Sequence, residues 1–278
     1  MSSKTVLITG CSTGIGHDLA RRLTLANYTV IATARHLETL TDLQVALKLP
    51  LDVTNSASIA SATDEVVRRF GRVDILVNNA GYALRGAVEE ISDEQVHKMF
   101  DVNVYGVMRM MHAVVPQMRQ QKAGRIINIG SIGGKLVIPV NGTYSATKFA
   151  LEALSDASRL ELAPFGIQVV LIEPGNIRTN FAATAQAHAK EVLSNPDSPY
   201  RALYQQYLQV STTMRWQEAE PEIVSQVVQQ AIEASKPKAR YVVAVPFSNR
   251  LVLHMGDSLR DFMFRRLFKI APDRDGSE

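Results

Sequence analysis

The chain has 278 residues, of which 46% are apolar and 21% charged, and its formal net charge is +3. This length fits one large α/β domain or two small ones, the charge gives no reason to expect a nucleic-acid partner, and no apolar run approaches the ~20 residues that span a bilayer. One cysteine, Cys11, excludes an internal disulfide and suits a reducing compartment, so we predict a cytoplasmic protein without a signal peptide. We interpret Cys11 as an inert small residue rather than a thiol of lowered pKa.

The chain begins with a predicted strand, a glycine-rich turn and a predicted helix. Residues 4–9 are apolar and rich in β-branched side chains, and residues 17–23 have apolar positions at helical spacing. Between them, Gly10, Gly14 and Gly16 allow a tight turn and a close approach of backbone to a pyrophosphate at the helix N-terminus. Glycine-rich turns also occur without ligands, but this order of elements predicts a nucleotide site.

Strands and helices then alternate along the chain. Further strands are predicted at 28–33, 47–51, 75–77, 125–129, 168–172 and 241–245, and the main helices at 58–70, 93–119, 144–163 and 220–234. Pro116 is expected near the end of the second of these helices. The alternation predicts an α/β fold with a doubly wound, Rossmann-type parallel sheet of about seven strands and helices on both faces. No linker or repeat divides the chain, so we expect a single domain over 1–278.

Three polar side chains suggest acid–base chemistry. Tyr144 and Lys148 lie four residues apart, on one face of a predicted helix, and Ser131 lies thirteen residues before the tyrosine. A free tyrosine has a pKa near ~10, and a nearby cation lowers it. A tyrosine whose pKa is lowered to about 7, which requires roughly 4 kcal/mol of differential interaction, would be a general acid/base at neutral pH. Ser131 could then hold a substrate oxygen beside it.

The ordered set of motifs resembles the short-chain dehydrogenase/reductase family. The segments, which span residues 4 to about 180, are TGCSTGIG at 9–16, Asp52-Val53, NNAG at 78–81, Asn103, Ser131, Tyr144 with Lys148, and PGNIRT at 174–179. The resemblance implies that Tyr144 is the general acid/base, that Ser131 orients the substrate carbonyl and that Lys148 binds the nicotinamide ribose. It also implies that Asn103 supports a water in a proton relay, although Asn103 could instead be a hydrogen-bonded core residue.

The same resemblance assigns residues to a nicotinamide cofactor. They are Gly10, Ser12, Thr13, Ile15 and Gly16 in the turn, Asp52 and Val53 at the adenine, Asn79, Ala80 and Gly81 along the adenosine, Tyr144 and Lys148 at the ribose, and Pro174, Gly175, Ile177 and Thr179 at the nicotinamide. Structural alternatives remain open. Asn78 and Asn79 could satisfy backbone groups where a strand ends, and Pro174-Gly175 could be only a turn.

The residues after the second predicted strand distinguish NADP from NAD. Ala34 occupies the position of the family's acidic residue, which binds the ribose hydroxyls of NAD, and Arg35 follows it. A guanidinium suits the 2′-phosphate of NADP, and Ser12 could add a hydroxyl contact. We predict NADP(H), although Arg35 could also be an ordinary exposed charge.

The resemblance implies that residues 181 to about 216 cover the substrate. The segment has helical character with a break at 195–199. Its apolar side chains could line a pocket or be core contacts: Phe181, Leu193, Tyr200, Leu203, Tyr204, Tyr207, Leu208, Met214 and Trp216. An opposite wall is expected from Leu136, Val137, Ile138 and Val140. The chain looks like the branch containing 17β-hydroxysteroid dehydrogenases, retinol dehydrogenases and acyl-dihydroxyacetone-phosphate reductases, which implies a bulky apolar carbonyl or alcohol substrate.

The C-terminal stretch 250–270 mixes apolar and basic residues. It could lie on a membrane surface, cap the substrate pocket or pack on a second subunit, and we favour packing. The family resemblance implies a homodimer or homotetramer.

Two function hypotheses follow. The first is an NADP(H)-dependent oxidoreductase, and the second is a non-catalytic NADP(H)-binding sensor or scaffold. The six histidines show no metal-ligand spacing, so no metal site is expected. The presence of both Tyr144 and Lys148 favours the enzyme.

Overall fold

A computed structural model of the chain describes residues 3–214 and 218–270. Its seven strands form one sheet in the order β3-β2-β1-β4-β5-β6-β7, and every neighbouring pair is parallel. The strands are β1 Thr5–Ile8, β2 Thr29–Ala34, β3 Leu47–Pro50, β4 Ile75–Asn78, β5 Gly124–Ile129, β6 Ile167–Pro174 and β7 Arg240–Val243. The predicted fold class is confirmed.

The strand order reverses between β1 and β4: β2 and β3 are added on one side of β1, and β4 to β7 on the other. Every residue of these two central strands is buried, and Leu7 pairs with Ile31 on one side and with Leu76 on the other. A crevice forms at the carboxyl ends of the strands where the order reverses, because the connections on the two sides lead to opposite faces of the sheet. The glycine-rich turn follows β1 directly and therefore lies at this crevice.

Helices cover both faces of the sheet. On one face, α1 (Gly14–Leu25) and α8 (Pro221–Glu233) bury an apolar cluster with the strands, and on the other face α2 (Ser56–Phe70) and α4 (Gly106–Gln121) do the same. Burial on both faces explains why the strands are almost continuously apolar in sequence. Helix α2 begins two residues before its predicted start, because the side chain of Asn55 accepts a hydrogen bond from the backbone N–H of Ser58.

The helix predicted at 93–119 is not a uniform α-helix. It consists of α3 (Asp93–Phe100), a π-helical turn at Asp101–Tyr105 and α4, which ends at Gln121. Pro116 lies inside α4, and the helix continues for five residues beyond it. The prediction that Pro116 would lie near the helix end was therefore only approximate. Asn103 lies in the π turn.

The later helices are α5 (Gly142–Leu162), α6 (Asn180–Ser194), α7 (Arg201–Met214), α9 (Phe247–Val252) and α10 (Asp257–Leu267). The break expected at 195–199 separates α6 from α7. Trp216 and the side chain of Met214 lie outside what the structure describes. Of the helices within the described ranges, none is both long enough and apolar enough to cross a bilayer.

Candidate active site

A cleft of about 400 Å³ opens at the carboxyl ends of the central strands. This volume is within the range of roughly 300–1,000 Å³ that is usual for small-molecule sites. Most of the predicted site residues line it: Gly10, Ser12, Thr13, Ile15, Arg35, Asp52, Val53, Asn79, Ala80, Gly81, Ser131, Tyr144, Lys148, Pro174, Gly175, Ile177 and Thr179. Gly16 and Asn103 are buried and are not among the lining residues.

The glycine-rich turn has the geometry of an anion cradle. Gly10 and Gly14 have φ values of +72° and +63°, which side chains disfavour. A Cβ at Gly16 would overlap the carbonyl oxygen of Gly10, so the helix can approach the turn closely only with glycine there. Thr13 caps α1 without a side-chain hydrogen bond to it. The first N–H groups of α1 therefore have no side-chain cap, and a diphosphate fits this end of the helix.

Asn79 holds the turn in place. Its Nδ2 donates to the backbone oxygens of Thr9 and Gly10, at 2.9 and 2.8 Å, and the N–H groups of Asn79 and Ala80 donate to the hydroxyl of Thr9, each at 3.0 Å. Asn79 thus has the structural role that the sequence left open, and it also lines the cleft. Asn78 instead donates to Asn128 beneath the site, at 2.9 Å.

The cleft is lined by more positive than negative charge. Its lining includes the cations Arg35, Lys98 and Lys148 and one acid, Asp52, which gives a local charge of 3 − 1 = +2. The Oδ1 atom of Asp52 accepts hydrogen bonds from the backbone and hydroxyl of Thr54. Arg35 is exposed, and no ion pair within the described residues involves it. This balance suits an anionic ligand such as a nucleotide.

Tyr144 and Lys148 project from the first turns of α5 into the cleft. Their exposed fractions are 7% and 6%, and the lysine Nζ lies 5.8 Å from the centre of the tyrosine ring. Lys148 donates to the carbonyl oxygen of Ile129 at 2.9 Å, which holds the ammonium at the end of β5. Ser131 lines the same cleft, and its hydroxyl accepts from the N–H of Gly133 at 3.0 Å. The serine hydrogen remains available for a substrate oxygen.

Asn103 connects the π turn to two other parts of the site. Its Oδ1 accepts from the N–H of Tyr82 at 2.8 Å, and its Nδ2 donates to the carbonyl oxygen of Tyr82 at 2.7 Å and to the hydroxyl of Thr147 at 3.0 Å. The side chain is 1% exposed. It therefore fixes the loop after β4 against α5, the helix that carries Tyr144, and it has the core contacts that the sequence left as an alternative.

Arg85 is a further cation at the tyrosine that the sequence analysis did not identify. Its Cζ lies 5.2 Å from the centre of the Tyr144 ring. The guanidinium is oriented by Asn141, whose Oδ1 accepts from Nη1 at 2.6 Å, and by the hydroxyl of Tyr207, which accepts from Nε at 3.1 Å. No sequence motif marks Arg85, because its proximity to Tyr144 arises only when the loop after β4 packs beneath α7. Lys98 was missed for a similar reason, since it reaches the cleft from α3.

The apolar residues expected to cover the substrate divide into two groups. Phe181 lines the cleft, with its ring centre 5.9 Å from that of Tyr144. Most of the others form a core cluster with Phe268, which directly follows α10, and with two residues of the expected opposite wall: Leu193, Tyr200, Leu203, Tyr204, Tyr207, Ile138 and Val140. Leu208 and Val137 are exposed. The core-contact alternative therefore describes most of this segment, and Phe181 is the clear pocket residue.

Cys11 follows the first glycine of the turn but does not reach the cleft. Its side chain is fully buried, and its Sγ donates weakly to the carbonyl oxygen of Ile8. Burial raises the pKa of the thiol to about 12, so it stays protonated at physiological pH. Cys11 is an inert core residue.

Comparisons with known proteins agree with this geometry. The family model for short chain dehydrogenases matches residues 4–190. Human 17-beta-hydroxysteroid dehydrogenase type 1 is 38% identical over 272 residues, covering 92% of this chain and 82% of that protein. A short-chain dehydrogenase structure from Streptomyces avermitilis is 33% identical with a TM-score of 0.78, covering 97% of this chain and 96% of that one. The closed form of serine dehydrogenase complexed with NADP+ is 29% identical with a TM-score of 0.71, covering 86% and 93%. The chain therefore belongs to the short-chain dehydrogenase/reductase family of oxidoreductases.

Proposed function

We propose that this protein is an NADP(H)-dependent oxidoreductase that transfers hydride between nicotinamide and a secondary alcohol or carbonyl. The observation that carries the proposal is the buried pair of Tyr144 and Lys148, which share a cleft with Ser131 and with an anion cradle at α1. A non-catalytic nucleotide sensor would have no need to keep a protonatable hydroxyl, an ammonium and a serine together at the end of a cofactor cleft.

Each side chain has a distinct task in the proposed reaction. A bound nicotinamide supplies or accepts the hydride. The hydroxyl of Tyr144 gives its proton to the carbonyl oxygen in reduction and takes it back in oxidation, while Ser131 donates a hydrogen bond to the same oxygen. The ammonium of Lys148 favours the phenolate that forms in reduction, because opposite charges attract strongly in a partly dry site. Asn103 acts as a positioning residue that holds α5 against the loop after β4.

In this proposal the cofactor residues are those that the family resemblance assigns, and all of them except Gly16 line the cleft. The turn residues Gly10, Ser12, Thr13, Ile15 and Gly16 hold the diphosphate at the N-terminus of α1. Asp52 and Val53 contact the adenine, and Asn79, Ala80 and Gly81 follow the adenosine. Lys148 and Tyr144 bind the nicotinamide ribose, and Pro174, Gly175, Ile177 and Thr179 enclose the nicotinamide.

Arg35 is proposed to select NADP(H) over NAD(H). Its exposed guanidinium lines the cleft next to Ala34, where a carboxylate would bind the ribose hydroxyls of NAD. An Arg35→Asp variant should raise the KM for NADPH roughly ten- to a hundred-fold, since a hydrogen bond between charged groups contributes about 1.5–3 kcal/mol. NADH should then be used as well as or better than NADPH. Arg21→Asp, a change at an exposed arginine of α1 outside the cleft lining, is the matched control. An unchanged cofactor ratio in Arg35→Asp would refute the proposal for Arg35.

A bulky apolar ketone or aldehyde is the proposed substrate class, such as a steroid, a retinoid or a lipid-derived carbonyl. Support comes from the ring of Phe181 beside Tyr144 and from the similarity to a human 17-beta-hydroxysteroid dehydrogenase. The test follows NADPH consumption by the purified protein against apolar ketones and aldehydes of increasing size, with NADH in parallel. Rates that rise with apolar bulk support the proposed class, whereas turnover of small polar ketones alone contradicts it.

The catalytic part of the proposal is tested by Tyr144→Phe. Loss of the hydroxyl should lower kcat at least a hundred-fold, the lower end of the usual contribution of a general acid, while NADPH still binds. Tyr105→Phe, at an exposed tyrosine of the π turn, is the control and should leave kcat unchanged. Activity that persists undiminished in Tyr144→Phe contradicts the mechanism. Tight NADPH binding without turnover of any substrate by the wild-type protein would favour the sensor.

We also propose that the protein is a homodimer or homotetramer that pairs through α5, the helix that carries Tyr144 and Lys148. This helix exposes apolar side chains that a partner could cover, among them Phe149 and Leu160. Light scattering should give a mass of two or four chains, and Phe149→Glu should shift the mass towards one chain. A wild-type protein that is monomeric at micromolar concentration contradicts this proposal.

A further inference from the structure

Helix α10 is attached to the protein by one of its faces. Phe268, which follows its last turn, is fully buried, and Phe264 lies one turn earlier with its ring centre 6.3 Å from that of Phe268. Both belong to the apolar cluster around Tyr204 and Tyr207 of α7. Two phenylalanines on one side of the helix therefore hold it against α7.

The other side of α10 is also apolar, but it faces water. Leu259, Phe262, Met263 and Leu267 have exposed fractions of 52%, 55%, 36% and 43%. Their positions, at 0, +3, +4 and +8, are those of one continuous helix face. Ile270, just beyond the helix, is 41% exposed. Single exposed apolar residues are ordinary, but a full stripe on one helix indicates a second apolar surface that covers it.

The charges around this face show what kind of surface fits. Arg265, Arg266 and Lys269 are all exposed, and no ion pair within the described part of the chain involves them. The guanidinium of Arg266 lies 5.5 Å from the ring centre of Phe262, so one cation reaches directly over the apolar stripe. Residues 257–270 carry four basic and two acidic side chains, a local charge of 4 − 2 = +2. A second copy of this chain would bring a like charge to the same face, whereas an anionic surface would be attracted to it.

We propose that the outer face of α10 docks on the surface of a bilayer that contains anionic lipids. The stripe of Leu259, Phe262, Met263 and Leu267 lies at the boundary between headgroups and acyl chains, and the three free cations contact lipid phosphates and carboxylates. Phe264 and Phe268 stay in the protein and fix the orientation of the helix. This docking does not depend on the proposed oxidoreductase activity, so it is tested without turnover.

The test is co-sedimentation of the full-length protein with phosphatidylcholine vesicles, prepared with and without phosphatidylserine. The wild-type protein should bind the phosphatidylserine vesicles at least ten-fold more tightly, and high salt should weaken that binding. Phe262→Asp should abolish detectable binding, whereas Leu25→Asp, at another exposed apolar residue, should not change it. Because both side chains are exposed, the melting temperature should be the same in both variants.

A charge variant tests the electrostatic half of the proposal. Replacing both Arg265 and Arg266 by glutamine should weaken binding about twenty- to thirty-fold, since each basic residue near an anionic surface contributes about 1 kcal/mol, or roughly five-fold. Equal binding of the wild type and Phe262→Asp, or no binding by the wild type, would overturn the proposal. A dimer that dissociates in Phe262→Asp, without any vesicle binding by the wild type, would identify a second copy as the occupant and would also overturn it.

Discussion

The pKa of Glu152, on the helix that carries Tyr144 and Lys148, can be tested quantitatively. Glu152 lies on α5, one turn after Lys148, and faces Glu173, which is fully buried near the end of β6. Arg240 of β7 donates to Glu152 at 3.0 Å and lies 3.3 Å from Glu173, and Lys135 donates to Glu173 at 3.1 Å. Burial and, after it, the negative charge of Glu173 raise the pKa of Glu152 to about 7.

This pKa has a consequence for stability. The ordinary value is 4.5, so between about pH 4.5 and pH 7 the folded protein holds a proton on Glu152 that the unfolded chain has lost. The contribution of this proton to the free energy of unfolding is fully present below pH 4.5, and it is lost as the pH rises through 7. At 1.36 kcal/mol per pKa unit, the change amounts to about 3 kcal/mol. The carboxylate of Glu152 is therefore a net cost to the folded state above pH 7, although Arg240 is in contact with it.

The variant Glu152→Gln removes the titration but keeps an oxygen that can accept from Arg240. At pH 5 the variant and the wild type should melt at similar temperatures, because both carry a neutral side chain. At pH 8 the variant should melt about 5 °C higher, given the unfolding entropy expected for a 278-residue chain. Glu161→Gln, at an exposed position of the same helix, should show no such pH dependence. A difference between Glu152→Gln and wild type that is the same at pH 5 and pH 8 would refute the reasoning.

Substitutions at three further residues have expected outcomes. Asn103→Ala removes three hydrogen bonds from a buried site and should lower the free energy of unfolding by about 2–4 kcal/mol, measured by urea denaturation; a loss below 1 kcal/mol would contradict its positioning role. Tyr204→Phe leaves the buried N–H of Ala87 without its acceptor and should cost about 1–3 kcal/mol, seen as a lower melting temperature. Arg85→Met removes the cation beside the Tyr144 ring and should lower kcat/KM about ten-fold with NADPH affinity unchanged, and Arg85→Lys should not restore it, since lysine lacks the planar fork. Unaltered kcat/KM in Arg85→Met would exclude that contribution.

The sheet could be predicted because its residues carry a strong local signal. Strand β4, for example, is a short apolar run that is buried on both faces. In a chain whose short apolar runs alternate with helical patterns, such a run is readily identified as a strand. The π turn at Asp101–Tyr105 could not be predicted, because one extra residue in a turn changes the apolar periodicity very little. It accompanies the contact between Asn103 and the backbone of Tyr82, twenty-one residues earlier, which no local pattern reveals.

The residues of the candidate site likewise divide into those that the sequence marks and those that it does not. Residues within two positions of the end of a parallel strand, such as Gly10, Asn79 and Ser131, converge because the parallel strands end at the same edge of the sheet. Their motifs mark them in the sequence. Arg85 and Lys98 reach the site from a loop and from α3, and their positions depend on tertiary packing. Sequence reasoning therefore finds residues that the topology of the sheet brings together, and it misses those that side-chain packing brings there.

Asn79 shows why a structural and a functional role need not compete at this site. Its amide binds the carbonyl oxygens of Thr9 and Gly10, and this holds the turn at the conformation in which Gly16 lies against Gly10. Because those oxygens are already engaged, the N–H groups at the start of α1 are the polar groups left to meet an anion. The contacts that stabilise the turn would thus also favour the negatively charged ligand that we propose for it. A substitution such as Asn79→Ala should consequently reduce nucleotide affinity and stability together.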